Sequence, residues 1–323
     1  MASKLPRIPL AHLPTPLMPL ERLSRALGGP QLWIKRDDLT GLALGGNKTR
    51  KLEYLMGDAV QHEADTVITA GAAQSNHARQ TAAAAARCGL RCILALGPLA
   101  PEATTGNLLL DHLLGAQVRW TGDRDRAEIM QEIAEEERAA GRTPYLIPYG
   151  GSNAIGAAAY FEAMHEAVRQ AQVEFHTLAL ASSSGGTQGG LVAGAAAMHY
   201  AGRIMGISVD EPADVLAPRV LRLARLVIEH LGVRVDVPED GVMVVDDYIG
   251  GGYGVMGEPE REAIGLLARY EGVLLDPVYT AKAMAGLIAL IRERAWRRDE
   301  AVLFWHTGGT PALFAYQEAL LRR

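Results

Sequence analysis

Apolar and polar positions along the chain alternate between two rhythms. Short runs of consecutive apolar residues recur at 31–35, 66–70, 90–96, 117–120, 145–147, 177–181, 203–209 and 301–305, the pattern of strands buried on both faces. Between them, apolar residues fall three and four apart, which predicts helices over 20–27, 48–62, 77–88, 107–114, 124–140, 154–171, 187–200, 214–231, 258–270 and 280–293. Pro9, Pro14, Pro16 and Pro19 predict an extended entry segment ahead of the first helix. Strand-helix alternation of this kind predicts an α/β protein whose sheets are open, mostly parallel and flanked by helices. The alternation is complete on each side of Gly150-Gly151-Ser152-Asn153. Two domains are therefore expected, a smaller one over 46–149 and a larger one from 1–45 with 150–323.

Bulk properties narrow the classes of function. The chain has 323 residues, 49% of them hydrophobic and 21% charged, ample material for large cores. Its net charge of -5 and lack of a long basic block argue against nucleic acid as a partner. Arg294, Arg297 and Arg298 read instead as cations at the C-terminal end of a helix. No apolar run reaches the ~18 residues of a membrane span, and no signal segment opens the chain. A cytoplasmic protein is the expectation. Cys88 and Cys92 lie across a helix-to-strand turn, and without nearby histidines they read as bystander thiols, with no metal site.

Candidate chemistry sits in loops that follow strands, where open α/β sheets bind ligands. Lys48 follows Gly45, Gly46 and Asn47 at the start of a helix. Read locally, it is either a reactive amine whose pKa the helix N-terminus helps to lower or a solvated lysine. Gln74-Ser75-Asn76-His77 offers a hydroxyl, an amide and free N–H groups at a helix start; it suits a carboxylate, or is a plain N-cap by Ser75. Ser182 to Gly190, with Ser184, Gly185, Gly186 and Thr187 at its centre, forms an anion nest that favours phosphate. Tyr253 among glycines, Tyr279 at a helix start and His306-Thr307 complete the set. The tyrosines read as proton donors or acceptors, or as packing residues. A nucleophilic lysine, a phosphate nest and a carboxylate-sized loop in one chain point to pyridoxal 5'-phosphate (PLP).

The motifs Gly-Gly-Asn-Lys48-Thr-Arg-Lys-Leu-Glu, Gln-Ser75-Asn76-His77, Gly-Thr187-Gln, Tyr253-Gly, Asp-Pro-Val-Tyr279-Thr280 and His306-Thr307-Gly-Gly resemble, in order along nearly the whole chain, the D-cysteine desulfhydrase and 1-aminocyclopropane-1-carboxylate (ACC) deaminase family. The resemblance implies a tryptophan-synthase-β type fold (fold type II) with PLP in the cleft between the domains. It implies that Lys48 is the Schiff-base lysine. Asn47, Asn76, Ser184, Gly185, Gly186, Thr187, Thr280 and Thr307 would contact the cofactor, and Ser75, Asn76 and His77 would hold the substrate carboxylate. Tyr253 and Tyr279 would be the active-site tyrosines. Family ACC deaminases carry Glu and Leu where this chain has Thr280 and Thr307. A carboxylate at the pyridine nitrogen strengthens the electron sink that ring opening needs, whereas neutral hydroxyls suit loss of a good leaving group. The implied reaction is β-elimination of D-cysteine, a small amino-acid substrate, to pyruvate, ammonia and sulfide by a homodimer. The alternatives are L-cysteate sulfo-lyase, ACC deaminase and, from another class, a non-catalytic nucleotide-binding module.

Overall fold

The computed structural model describes residues 5–321. Among them the chain runs β1 (Leu17–Pro19), α1 (Glu21–Leu27), β2 (Gln31–Arg36), α2 (Asn47–Gln61), β3 (Thr66–Ala72), α3 (Asn76–Cys88), β4 (Arg91–Gly97), α4 (Gly106–Leu113), β5 (Gln117–Trp120), α5 (Arg126–Ala139), β6 (Pro144–Leu146), α6 (Ala154–Gln170), β7 (Thr177–Ser182), α7 (Gly186–Ala197), β8 (Arg203–Ser208), α8 (Ala213–Leu231), β9 (Met243–Val245), α9 (Glu258–Glu271), α10 (Thr280–Arg292), β10 (Ala301–His306) and α11 (Gln317–Leu321). The periodicity anticipates these elements to within a few residues, apart from β1, β9 and α11.

Two sheets organise them. The larger has the order β1-β2-β10-β7-β8-β9, and the smaller β5-β4-β3-β6. Every pairing is parallel except that of β1 with β2. Helices cover both faces of the larger sheet, which is why its strands carry unbroken apolar runs. Along β10, Leu303 and Trp305 join Tyr160, Leu191 and Val220 in one core, while Val302 and Phe304 join Leu23, Leu267 and Met284 in the other. The smaller sheet does the same: Leu94 packs with Leu55 and Ala82, and Ile93 with Ile133.

Helix α2 joins the two units, packing on both α3 and α6. It is buried on nearly every face, including Thr49, Arg50, Lys51 and Glu53, so its polar residues are paired inside the protein instead of solvated. Arg50 donates to Asp37 at the end of β2 and to Glu166 on α6. Asp37 also accepts from Thr15, Tyr160 and Trp305, and Lys35 donates to Glu166. This network fixes the N-terminal turn of α2 against the larger sheet.

The arginines expected to cap a helix lie elsewhere. Helix α10 ends at Arg292, and Arg294 has φ 62° in the turn that follows. Arg297 donates to Asp299, and Arg298 to the Gly28 carbonyl. The turn places the three beyond the helix because the chain reverses there to enter β10. Cys88 and Cys92 carry free thiols. Among the described residues no helix is long and apolar enough to cross a membrane, and no three His, Cys, Asp or Glu side chains gather as metal ligands.

Candidate active site

One cavity lies where the carboxyl ends of the strands meet the start of α2. Its walls include Asn47, Lys48, Ser75, Asn76, His77, Tyr149, Ser182, Ser184, Gly185, Thr187, Gln188, Tyr279 and Thr307. The loops after β3, β7 and β10 thus converge on Lys48, as the open-sheet rule requires. Gly186, Tyr253 and Thr280 are not wall residues, but each adjoins one: Gly186 and Thr280 in sequence, and Tyr253 through its hydrogen bond to Tyr279.

Loop anatomy explains the placement. Gly45 and Gly46 have φ of 66° and 131°, and Arg79 on α3 holds the carbonyls of Ala43 and Gly45. Lys48 is thereby delivered at the first turn of α2. Asn47 is tied on two sides: its N–H donates to the Thr307 carbonyl at 2.9 Å and its Nδ2 to Thr187 Oγ1 at 3.0 Å. Desolvation lowers the Lys48 ammonium to a pKa of about 8, opposed by the nearby Asp276 carboxylate. Lys51, one turn on, is wholly buried and pushed well below its ordinary value, first by burial and then by Lys48. Its ammonium donates to the Gly150 carbonyl at 3.0 Å and to Ser152 Oγ at 3.3 Å.

In the polar loop after β3 the N-cap is formed, and it does not use the whole of the Ser75 hydroxyl. Ser75 caps α3, its Oγ accepting from Ala78 N at 3.1 Å, while its hydroxyl hydrogen stays available to an acceptor. Asn107 on α4 donates to Asn76 Oδ1 at 2.9 Å. The Asn76 amide is therefore oriented with Nδ2 as its free donor. His77 is held neutral by burial and by the two lysine charges. Thr69 Oγ1 donates to the Ile147 carbonyl and so accepts from His77 Nε2 at 2.8 Å, which assigns the proton to Nε2 and leaves Nδ1 a bare acceptor.

The turn after β7 has the shape of an anion cradle. Gly185 is left-handed at φ 79° and begins α7, whose N-terminus faces the cavity. Ser184 Oγ meets Ser152 Oγ at 2.9 Å, whereas Ser183 turns away to Asp210. A β-carbon at position 186 would lie 2.8 Å from Lys51 Nζ and overlap Ser152 Oγ. Glycine there lets these two side chains come up against the turn. The wall residues Ser182, Gln188 and His77 each carry a buried polar atom with no partner, namely Oγ, Oε1 and Nδ1. Hydroxyls, N–H groups and the buried Lys51 amine around one hollow fit a phosphate group.

On the opposite side Tyr253 and Tyr279 join hydroxyl to hydroxyl at 2.6 Å. Burial holds both phenols well above their ordinary range, so they stay protonated. Thr280 Oγ1 donates to Asp276 Oδ1 at 2.7 Å and accepts from the Asp276 N–H at 2.7 Å. The N–H groups of Val278, Tyr279 and Thr280 also point at that carboxylate. His306 accepts from the Gly308 N–H at 3.2 Å and serves the loop, not the cavity. Gly309 sits between Asn76 and Asp276, where a β-carbon would approach Asn76 Nδ2 to 2.5 Å. Three wall or near-wall residues were given no part in the site by the sequence reading: Lys51, Tyr149 and Ser152. The signal for Lys51 was its place one turn after Lys48 on the same helix.

With this geometry in place, comparisons with known proteins give the following. A family model described as "Pyridoxal-phosphate dependent enzyme" matches residues 8–308. The chain is 44% identical over 322 residues to the D-cysteine desulfhydrase of Yersinia enterocolitica serotype O:8 / biotype 1B, covering 97% of each protein. It is 44% identical over 326 residues to the D-cysteine desulfhydrase of Klebsiella pneumoniae strain 342, covering 98% of each. Among solved structures, an ACC deaminase homologue superposes with a TM-score of 0.91 at 41% identity, over 98% of this chain and 96% of that one. The processed form of threonine deaminase isoform 2 from Solanum lycopersicum gives a TM-score of 0.64 at 21% identity, over 99% and 84%, a likeness of fold alone.

Proposed function

The chain belongs to the pyridoxal-phosphate dependent enzymes, of fold type II, and on that premise we propose that it is a lyase that eliminates sulfide from D-cysteine, leaving pyruvate and ammonia. The observation that carries the reading is the identity of 44% to D-cysteine desulfhydrases along nearly the full chain. Thr280, a neutral hydroxyl where ring-opening relatives carry Glu, and Thr307, where they carry Leu, add support. The carboxylate of Asp276 behind Thr280 is engaged by Thr280 and three N–H groups.

When bound, PLP supplies an aldehyde that captures an amine and a ring that draws electrons from the α-carbon. Lys48 is the amine that holds it, and Ser184, Gly185, Gly186 and Thr187 with Lys51 hold its phosphate. Asn76, through its free Nδ2, would donate to the ring oxygen, and Asn47, Thr280 and Thr307 would contact the ring. With a pKa of about 8, a free Lys48 is neutral in an appreciable fraction of molecules near neutral pH, as a proton acceptor at the α-carbon must be. The Ser75 hydroxyl and the backbone N–H groups of Asn76 and His77 at the N-terminus of α3 would hold the substrate carboxylate. Tyr279, backed by Tyr253, would give a proton to the departing sulfur.

The smaller unit over 46–149 then carries the carboxylate loop, and the larger, from 1–45 and 150–323, the phosphate turn. A homodimer in the cytoplasm completes the reading; the two free thiols agree with a reducing compartment, and light scattering tests the dimer. A panel of D-cysteine, L-cysteate, β-chloro-D-alanine and ACC tests the reaction. Pyruvate from D-cysteine with little turnover of L-cysteate or ACC is expected. Preference for L-cysteate or ACC refutes the assignment, and a colourless protein inert toward all four refutes an enzyme.

A further inference from the structure

Lys282 lies in the first turn of α10, three residues after Tyr279, and its side chain is wholly buried. Its ammonium donates to two backbone carbonyls, those of Ile249 and Gly252, each at 2.5 Å. These carbonyls belong to the 249–254 loop, in which Gly250, Gly252 and Gly254 take φ of 62°, 96° and 72°. Such a loop has few side chains to anchor it, yet it carries Tyr253, whose hydroxyl must meet that of Tyr279. One helix end thus presents one phenol directly and grips the backbone that presents the other. Burial disfavours the ammonium, and the carboxylates of Glu260 and Asp210 oppose that. Neither the proposed reaction nor the cofactor site uses this charge.

We infer that Lys282 is a positioning residue, a tethered cation that holds the glycine loop at the separation where Tyr253 and Tyr279 share their hydrogen bond. Besides the ammonium, the Ile249 and Gly252 carbonyls each accept only one long backbone bond, at 3.3 Å from Gly252 and Val255 within the same stretch; Tyr316 holds the Gly254 carbonyl, and the charged donor at 2.5 Å is the strong tie of the other two to α10. Without it the loop keeps its sequence and its glycine freedom but loses what fixes Tyr253 relative to α10. The functional consequence rests on the reading above, in which the tyrosine pair serves the leaving group.

The test uses Lys282→Ala, Lys282→Met and Lys282→Arg in the full chain. Hydrogen exchange is measured with and without PLP, and pyruvate formation from D-cysteine is measured in parallel. In the Ala and Met variants, amides of 249–255 should exchange at least about tenfold faster while β3, β7 and β10 keep their protection. Turnover should fall on the order of 10²-fold, the loss that misplacement of a catalytic group by about 1 Å brings, with bound PLP retained and KM nearly unchanged. Ethylammonium should restore both exchange protection and kcat to Lys282→Ala, because it brings N–H donors into the space left; tetramethylammonium, which has none, should not. Lys282→Arg should retain most of the loop protection. Wild-type exchange and kcat in Lys282→Met would overturn the inference, as would a loss spread over the whole chain without rescue. If wild type makes no pyruvate from D-cysteine, the elimination reading fails, and loop exchange still decides the role of Lys282.

Discussion

Replacing Asp37 by alanine removes the one carboxylate on which four side chains converge: Thr15, Arg50, Tyr160 and Trp305. Asp37 is wholly buried and Arg50 nearly so. Breaking such a pair from one side costs about 3–5 kcal/mol, because the guanidinium stays behind without its partner. Glu166 still accepts from Arg50 at 2.7 Å, which limits the damage. The stranded Tyr160 O–H and Trp305 N–H work the other way, at about 1–3 kcal/mol for each unsatisfied group. These terms share partners and do not add, so the expected loss stays near 3–5 kcal/mol. Urea denaturation of the apoprotein, followed by tryptophan fluorescence, measures it from the midpoint at unchanged slope. A loss below about 1 kcal/mol would refute the claim that this network fastens α2 to the larger sheet. The pH dependence carries a second check. Burial raises the Asp37 pKa, but Arg50, Lys35 and the Tyr160 hydrogen bond outweigh it and hold the carboxyl below its ordinary range. Its stabilising contribution is therefore present above the unfolded value of about 4 and is lost as pH falls through the folded value. Asp37→Asn should lose less stability than wild type across that acid window; an identical acid limb would refute the pairing.

Two further predictions concern the site itself. The Lys48 amine, lowered by desolvation to about 8 against the pull of Asp276, is neutral above that pH and protonated below it. The rate at which apoprotein captures PLP, followed by absorbance, should rise about tenfold per pH unit below 8 and level off above it; an inflection near 10 contradicts the burial argument, and Lys48→Ala should give no bound chromophore. Gly186→Ala puts a methyl beside Lys51 Nζ and Ser152 Oγ, and should weaken PLP binding at least about tenfold, or 1.4 kcal/mol, with the apoprotein still folded. Unchanged affinity in a titration would show that the phosphate does not sit there.

The elements and the lysine loop were legible because their signals are local. Apolar runs mark β7 and β10, and Gly45 and Gly46 before Lys48 mark a backbone that must approach a ligand. What stayed hidden depends on residues far apart in the chain. Asp37, Arg50 and Glu166 look like ordinary surface charges, and nothing periodic reveals that 116 positions separate Arg50 from its Glu166 partner. Lys51 reads as a solvated cation on an amphipathic helix, yet α2 is wrapped between α3 and α6, so the polar stripe faces protein. Edge strands β1 and β9 are three residues each, too short for alternation to show; the equally short β6 was legible only from its place in the strand-helix sequence. Ser75 is the instructive case: the cap and the ligand-binding role seemed to be alternatives, but the oxygen serves one and the hydrogen is left for the other.

The central claim is that Lys48, the phosphate turn and the tyrosine pair together run β-elimination on D-cysteine. Incubating the PLP-loaded protein with D-cysteine and measuring sulfide and pyruvate together tests it most directly. Equal amounts of the two, formed by wild type and abolished in Lys48→Ala, are the predicted result. No sulfide from D-cysteine, in a protein that holds PLP and turns over another member of the panel, would contradict the account.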